Sequence, residues 1–174
     1  MKITTPNGIL EGETIEAILK EHGFHCLHGA DLRGADLCDA DLHGADLSDA
    51  NHVKLSIAQT SILPDEGDII GWKKAWTGDM PAMPVIVKLL IPADAQRSNA
   101  TGRKCRSRTA RVLDLQDKQG NSLPPDTTAY SGHDTDFTYK KGETIHAEDF
   151  DTNRWNECAP GIHLFITRIE AVEY

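Results

Sequence analysis

A leucine recurs every five residues between Gly29 and Ala50, in the stretch GADLRGADLCDADLHGADLSDA. An α-helix places its apolar residues three or four apart and a half-buried β-strand two apart, so neither element fits this spacing. Each leucine follows an alanine by two positions and an aspartate by one. One small and one large apolar residue in every five suit a chain that turns a corner in each repeat. The period therefore predicts a coil whose inward residues are Ala30, Ala35, Ala40, Ala45, Leu32, Leu37, Leu42 and Leu47.

The pattern A(D/N)LXX from Ala30 to Ala50 resembles the pentapeptide-repeat family. That resemblance implies a short right-handed, four-sided β-helix with four pentapeptides in each coil. The register continues with more variable residues from His25 to Pro64, so eight pentapeptides form about two coils. Apolar residues at helical spacing between Gly12 and Gly23 predict an N-terminal helix that caps the solenoid, and Asn7-Gly8 predicts a hairpin before it.

The five-residue period ends near Pro64, and the segment PDEGD that follows has the composition of a linker. The rest of the chain predicts a small α+β domain, which makes the whole protein mainly β with some α. The predicted domains are residues 1–24 (hairpin and capping helix), 25–64 (solenoid) and 65–174 (α+β domain). Predicted strands in the last domain are residues 68–76, 85–92, 108–115, 136–143 and 161–167, before a final helix that opens with the capping box of Thr167 and Glu170.

The second half of the chain resembles a domain found with short pentapeptide runs in uncharacterised bacteriophage and prophage proteins. The stretches that carry this resemblance are GWKKA, KLLIPADAQRSNATGRKCR, YKKGE and NRWNECAPGIHLFITRIEA. The resemblance implies a phage protein that works in the host cytoplasm. It does not assign a catalytic residue.

Composition narrows the class of protein. No apolar run approaches the ~18 residues that a transmembrane helix needs, and the four cysteines form no C-x-x-C pair. We therefore expect a reduced, cytoplasmic protein that has no membrane partner. The net charge of −9 argues against direct binding to nucleic acid.

Six basic residues and no acid lie between Gln96 and Leu113, although the chain as a whole is acidic. Such segregation indicates an anion site or a surface that faces a partner, whereas pairing with carboxylates such as Asp114 or Asp117 is the structural alternative. Arginine offers a planar set of donors that suits phosphate. We predict an anionic ligand such as a nucleotide, bound by Arg103, Lys104, Arg106 and Arg108, with its base stacked on Trp72.

Two further groups of residues have the chemistry of a site but not its spacing. His133, Asp134, Asp136, His146, Glu148, Asp149 and Asp151 are metal-ligand types, but their spacing matches no zinc signature. Cys158 and His163 are a possible nucleophile and base without a third orienting group in the sequence. We predict no metal, no cofactor and no catalytic residue.

These features favour a non-enzymatic binding protein, a phage accessory or host-interference factor whose solenoid serves for assembly or contact with a host protein. We expect a homo-oligomer, because a two-coil stack leaves strand edges open. One alternative is an inhibitor that sets its acidic solenoid against a nucleic-acid-binding host protein. Two coils rise only ~10 Å, about three base pairs of DNA, which is short for mimicry of a duplex. The other alternative is a small enzyme that processes nucleotides or nucleic acid.

Overall fold

The computed structural model describes residues 2–5, 8–13, 15–22, 58, 61–78, 80–100 and 102–174. The chain divides into two compact units. One consists of Met1–Ile62, Asn99–Gly102 and Asn153–Cys158, and the other of Leu63–Ser98, Arg103–Thr152 and Ala159–Tyr174. The alanines and leucines of the predicted β-helix core, from Ala30 to Leu47, lie outside the described residues.

The first unit contains the predicted N-terminal hairpin and helix. Strands β1 (Lys2–Thr5) and β2 (Gly8–Glu11) pair antiparallel with a two-residue connection between Thr5 and Gly8. Helix α1 follows at Ile15–His22, and its Ile18 is fully buried. The predicted hairpin and helix are both present, although Gly8 pairs with Thr5 and belongs to β2, so the connection lies one residue before the predicted Asn7-Gly8.

The described residues of the second unit form nine strands and one short helix. The strands are β3 (Ile69–Thr77), β4 (Pro84–Ile91), β5 (Arg97–Ser98), β6 (Cys105–Ser107), β7 (Thr109–Gln116), β8 (Thr128–Tyr130), β9 (Thr138–Lys140), β10 (Thr144–His146) and β11 (Ile162–Leu164), and the helix is α2 (Arg168–Glu173). A six-stranded antiparallel sheet has the order β10-β7-β4-β3-β8-β9, and a three-stranded sheet has the order β11-β6-β5. The protein is thus mainly β with little helix.

Strand β4 lies at the centre of the larger sheet because its sequence, PVIVKLLI, is apolar on both faces. Ile86 packs with Phe165 and Ala171 under α2. Val85 and Val87 alternate with it, so they belong to the opposite face, and both are fully buried. Covering both faces of this strand requires α2 on one side and further strands on the other.

The two sheets of the second unit meet at β3. Trp72 and Phe165 exchange two backbone hydrogen bonds of 2.8 and 2.7 Å, which brings the end of β11 against β3. Gly71, the residue before Trp72, has no side chain, and a Cβ there would lie 2.5 Å from Cδ1 of Leu164. The close approach of β11 therefore depends on glycine at position 71.

Candidate anion-binding site

Helix α2 packs against β3 and β4, and its first turn is closed by the capping box that the sequence predicted. The Glu170 carboxylate accepts hydrogen bonds from the backbone N–H of Thr167 at 3.2 Å and from its hydroxyl at 2.6 Å. This arrangement satisfies a donor at the helix start and holds the carboxylate beside the residue that precedes the helix. The capping box is confirmed.

The same carboxylate binds Arg103, one of the predicted ligand-binding residues. Nε of Arg103 lies 2.6 Å from Oε1 of Glu170, and Nη2 lies 3.2 Å from Oε2. The hydrogen bond from Arg103 is the main reason why the pKa of Glu170 lies below its ordinary value. The side chain of Arg103 is 51 % exposed, so this guanidinium meets solvent although it is paired.

Lys104 lies at the other end of α2. Its Nζ is 5.7 Å from the ring centroid of Tyr174, a distance at which a cation is attracted to an aromatic face. Tyr174 also packs on Phe165, with 5.0 Å between ring centroids. Tyr174 is 64 % exposed, so its ring presents aromatic surface beside a lysine.

The side chain of Trp72 lies on the face of the sheet that α2 covers, which is also the face of Ile86. Its ring packs against the cluster of Ile86, Phe165 and Ala171. Nζ of Lys88 lies 5.6 Å from the ring centroid, and Cζ of Arg168 lies 5.9 Å from it. Two cations thus share one indole ring.

The charge of Arg168 is not cancelled by the groups that it binds. Its guanidinium donates to Oε1 of Gln116 at 3.1 Å, to the carbonyl of Asp117 at 2.8 Å and to the carbonyl of Lys118 at 3.1 Å. All three acceptors are neutral. The surface around Trp72 therefore retains a positive charge that an anion can compensate.

Lys88 faces Asp114 across the β4–β7 pairing, but Asp114 is already bound to other partners. Oδ2 accepts hydrogen bonds from Ser122 at 2.7 Å and Gln116 at 3.0 Å, and Oδ1 lies 2.9 Å from Nζ of Lys141. Burial alone would raise the pKa of Asp114, but these hydrogen bonds and the charge of Lys141 outweigh it and lower the pKa to about 2. Asp114 is therefore ionised at neutral pH, and Ser122, Gln116 and Lys141 together hold its carboxylate.

Replacing Asp114 with asparagine is expected to lower the free energy of unfolding by about 1–2 kcal/mol at pH 7. A carboxyl group whose pKa is lowered by folding stabilises the protein above its unfolded pKa, and this stabilisation disappears as the pH falls toward the folded value of about 2. The difference between the wild type and D114N should therefore shrink between about pH 4 and pH 2. Urea unfolding at several pH values measures it, and Asp126→Asn, at an exposed position, is the control. A constant difference across this range would contradict the assignment.

The structure separates the remaining predicted ligand residues from this surface. Arg106 is only 1 % exposed, and its guanidinium donates to the carbonyls of Asp151 and Pro160 and to the Ser98 hydroxyl. Arg108 binds the side-chain oxygen of Gln96 at 3.0 Å. Of the five predicted residues, Arg103, Lys104 and Trp72 gather around α2, whereas Arg106 and Arg108 do not.

The comparisons with known proteins identify both halves of the chain. Residues 59–171, nearly two thirds of the chain, match the model of a family of unknown function, DUF5758. The chain belongs to the DUF5758 family. Residues 26–51 match the model for pentapeptide repeats (8 copies), which confirms the repeat resemblance over that range. Neither the curated proteins nor the solved structures yield a match.

The DUF5758 region contributes to both compact units. Most of it forms the two sheets and α2, but its segments Asn99–Gly102 and Asn153–Cys158 group with Met1–Ile62. Asn99 is 2 % exposed and joins these parts: its Oδ1 accepts a hydrogen bond from the Ile62 N–H at 3.0 Å, and its Nδ2 donates to the Gly102 carbonyl at 2.9 Å. Asn99 thus binds Ile62 and Gly102, which belong to the same unit and to the same family match.

The candidate residues of metal-ligand type lie in loops and strands of the DUF5758 region. His133, Asp134 and Asp136 are exposed in the loop after β8. His146 lies in β10, where its Nδ1 is 3.0 Å from the hydroxyl of Thr109. Among the residues that the structure describes, no three His, Cys, Asp or Glu side chains gather as metal ligands do.

Cys158 and His163, the possible nucleophile and base, lie in different kinds of secondary structure. Cys158 is exposed in a loop of the first unit. His163 lies in β11, where it pairs with Arg106 across the three-stranded sheet.

No helix in the described part of the chain is long and apolar enough to cross a membrane.

Sequence reasoning missed three of the residues that surround Trp72 and α2, namely Lys88, Arg168 and Tyr174. Lys88 interrupts an otherwise apolar strand, and this break in the pattern was the signal that could have identified it. Arg168 and Tyr174 belong to a helix that was predicted. Their contacts with Trp72 and Lys104 could not be predicted, because these residues are far apart in the sequence. These residues come together only because the Trp72–Phe165 bridge brings the C-terminal segment onto β3.

Proposed function

We propose that this DUF5758 protein is a non-enzymatic binding protein for an anionic ligand with an aromatic part, of the nucleotide type, and that the ligand binds at the α2 surface. We define the α2 surface by Trp72, Lys88, Arg103, Lys104, Arg168 and Tyr174. The observation that carries the proposal is the gathering of four cations and two aromatic rings around one short helix, in a chain whose net charge is −9.

The chemistry of a nucleotide suits this combination of groups. A phosphate is an acceptor for the Lys88, Lys104 and Arg168 donors, and charge-assisted hydrogen bonds of this kind are about twice as strong as neutral ones. A base has a π-face, and stacking on an aromatic side chain contributes about 1–3 kcal/mol. The exposed ring of Tyr174 offers such a face. When the ligand binds, the Arg103 guanidinium releases the Glu170 carboxylate and donates its hydrogen bonds to the phosphate.

Titration calorimetry against mono-, di- and cyclic nucleotides tests the proposal directly. At least one nucleotide is expected to bind, and Lys88→Gln or Lys104→Gln should weaken it about tenfold, because each removes one charged donor. Lys140→Gln removes the same charge from an exposed position on β9 and should leave the affinity unchanged. Tyr174→Leu should weaken binding by a similar factor if the base stacks there.

Two results would overturn the nucleotide proposal. One is an absence of binding heat across the whole panel at low salt. The other is equal weakening by Lys88→Gln and Lys140→Gln, which would indicate a general charge effect in place of a site.

The repeat segment enters the proposal as a β-helix that serves for assembly. We infer a right-handed, four-sided β-helix of about two coils over residues 25–64, supported by the pentapeptide-repeat match at residues 26–51. Its open strand edges favour a homo-oligomer. The phage setting and interference with a host process remain part of the proposal through the resemblance noted above.

A further inference from the structure

Glu170 places a carboxylate next to the cations of the α2 surface. It accepts hydrogen bonds from the backbone N–H and the hydroxyl of Thr167 at 3.2 and 2.6 Å. It also accepts from Nε and Nη2 of Arg103 at 2.6 and 3.2 Å. Two of these contacts belong to the helix cap and two to the ion pair. Glu170 therefore keeps the donors of the capping box when Arg103 leaves it.

The Arg103–Glu170 ion pair lies where an exchange of partners costs little. The side chain of Arg103 is 51 % exposed and that of Glu170 is 21 % exposed, so solvent screens their attraction. Breaking an exposed ion pair of this kind changes an equilibrium constant by at most about fivefold. An incoming anion can therefore take Arg103 if it is a better acceptor than the carboxylate.

The groups that would meet such an anion lie along one turn of α2. The Tyr174 N–H donates to the Glu170 carbonyl at 3.0 Å, so the two residues are one turn apart. Lys104, which follows Arg103 in the chain, has its Nζ 5.7 Å from the centroid of the Tyr174 ring. A helical turn rises about 5.4 Å, a span that one nucleotide can bridge from phosphate to base. A phosphate held by Arg103 and Lys104 therefore leaves its base beside Tyr174.

The charge of the phosphate decides whether Arg103 changes partner. A terminal phosphomonoester carries a charge of about −1.5 to −2 at pH 7, because its second pKa is about 6, and it has three acceptor oxygens. The Glu170 carboxylate carries a single charge. A phosphodiester, as in a cyclic nucleotide, also carries a single charge and is a weaker base than a carboxylate. The phosphomonoester is therefore the better acceptor for the guanidinium, and the phosphodiester is not.

We propose that Glu170 competes with the ligand for Arg103, and that the α2 surface takes nucleotides with a terminal phosphomonoester. This inference rests on the proposed function and assigns the class of its ligand. A phosphomonoester draws Arg103 away from Glu170. A cyclic nucleotide binds through the lysines and leaves the Arg103–Glu170 pair in place.

Titration calorimetry of 5′-AMP and 5′-GMP against their 3′,5′-cyclic forms tests the ligand class, since the two members of each pair share a base. The wild type is expected to bind the monophosphates about tenfold more tightly than the cyclic forms. Arg103→Gln should weaken binding of the monophosphates about fivefold and leave that of the cyclic forms unchanged. Lowering the pH from about 7.5 to about 5.5 removes one charge from most of each monophosphate and should reduce the preference. The cyclic forms do not titrate in this range, so they report any titration of the protein.

Glu170→Gln tests the competition. Glutamine also serves at the third position of a capping box, so the start of α2 is kept, and circular dichroism checks this. The variant should bind the monophosphates up to about fivefold more tightly. In this background Arg103→Gln should weaken binding of the cyclic forms as well, because Arg103 is then available to them. Glu173→Gln, which removes the same charge from an exposed position on α2, is the matched control and should have a smaller effect.

The outcomes separate this inference from the proposed function. Equal affinities for the linear and cyclic nucleotides, or no effect of Arg103→Gln on the monophosphates, would overturn the ligand class. Equal tightening by Glu170→Gln and Glu173→Gln would overturn the competition. In each of these cases nucleotides still bind, and the proposed function stands. An absence of binding heat for all four nucleotides, in the wild type and in the Glu170→Gln variant, would overturn the proposed function and this inference with it.

Discussion

Replacing Arg106 with methionine is expected to lower the free energy of unfolding by about 3–5 kcal/mol, although Arg106 is one of six basic residues in a segment that looks like a surface patch. The guanidinium is buried, with 1 % exposure, and donates to two backbone carbonyls, of Asp151 at 2.9 Å and Pro160 at 3.0 Å. It also donates to the Ser98 hydroxyl at 3.1 Å. Methionine fills similar space but offers no donor, so three acceptors lose the hydrogen bond that Arg106 gives them.

The surroundings of Arg106 strengthen this expectation. Its Cζ lies 5.4 Å from the ring centroid of Phe150, so the planar group also has an aromatic contact. Gly161 passes so close that a Cβ there would lie 3.3 Å from Cβ of Arg106. The strand, the loop before Asp151 and the turn at Pro160 are thus all held by one side chain.

Urea unfolding followed by circular dichroism measures the effect. Arg111→Met is the matched control, because Arg111 is exposed on β7 and its replacement should change stability by no more than about 0.5 kcal/mol. Equal unfolding midpoints for the two variants would show that the buried network contributes nothing. The result also bears on ligand tests, because loss of binding in an Arg106 variant would follow from unfolding. Lys88 and Lys104 are therefore the residues to vary.

Replacing Asn99 with alanine is expected to lower the free energy of unfolding by about 2–4 kcal/mol, since it leaves two groups without partners at a buried position. The groups are the Ile62 N–H and the Gly102 carbonyl, which Asn99 binds at 3.0 and 2.9 Å. The Asn99 carbonyl is in turn bound by the guanidinium of Arg154, from Nε at 2.9 Å and from Nη2. A change at Asn99 therefore affects Ile62, Gly102 and Arg154, which lie in three separate segments of the first unit.

The control for Asn99 is Asn121→Ala. Asn121 is exposed in the turn after β7 and donates to Asp117 at 2.8 Å, so its loss should cost only about 0.5–1 kcal/mol. Thermal unfolding of both variants gives the comparison, and limited proteolysis adds a local readout. Faster cleavage near Ile62 in N99A, and not in N121A, is the expected result. An N99A protein as stable and as protease-resistant as the wild type would refute the role of Asn99.

Long elements of the second unit could be predicted because their signals are local. Strands β3, β4 and β7 were found from short apolar or alternating runs bounded by turn residues, and α2 from its capping box. Strands β5 and β6 were missed because they have two and three residues and lie in the basic segment. Strand β6 pairs with β11, more than 50 positions away, and no local pattern encodes that pairing.

The residues of the candidate site could likewise be predicted only in part from the sequence. The excess of basic residues between Gln96 and Leu113 predicted where cations are concentrated, and Trp72 was singled out by its neighbouring lysines. The pattern did not show that Arg103 binds Glu170 or that Arg106 points inward.

The sequence by itself determined the pentapeptide repeat, the N-terminal hairpin and helix, the central strands and the abundance of cations near residue 100, because each depends on residues that are close together in the chain. Only the tertiary structure decided which of those cations are structural and which surround α2. On a β-strand the direction of a side chain is set by the register with its partner strands, and that register depends on distant residues. Arg106 is buried because β6 pairs with β5 and β11, and Trp72 meets Arg168 because Phe165 bridges to β3.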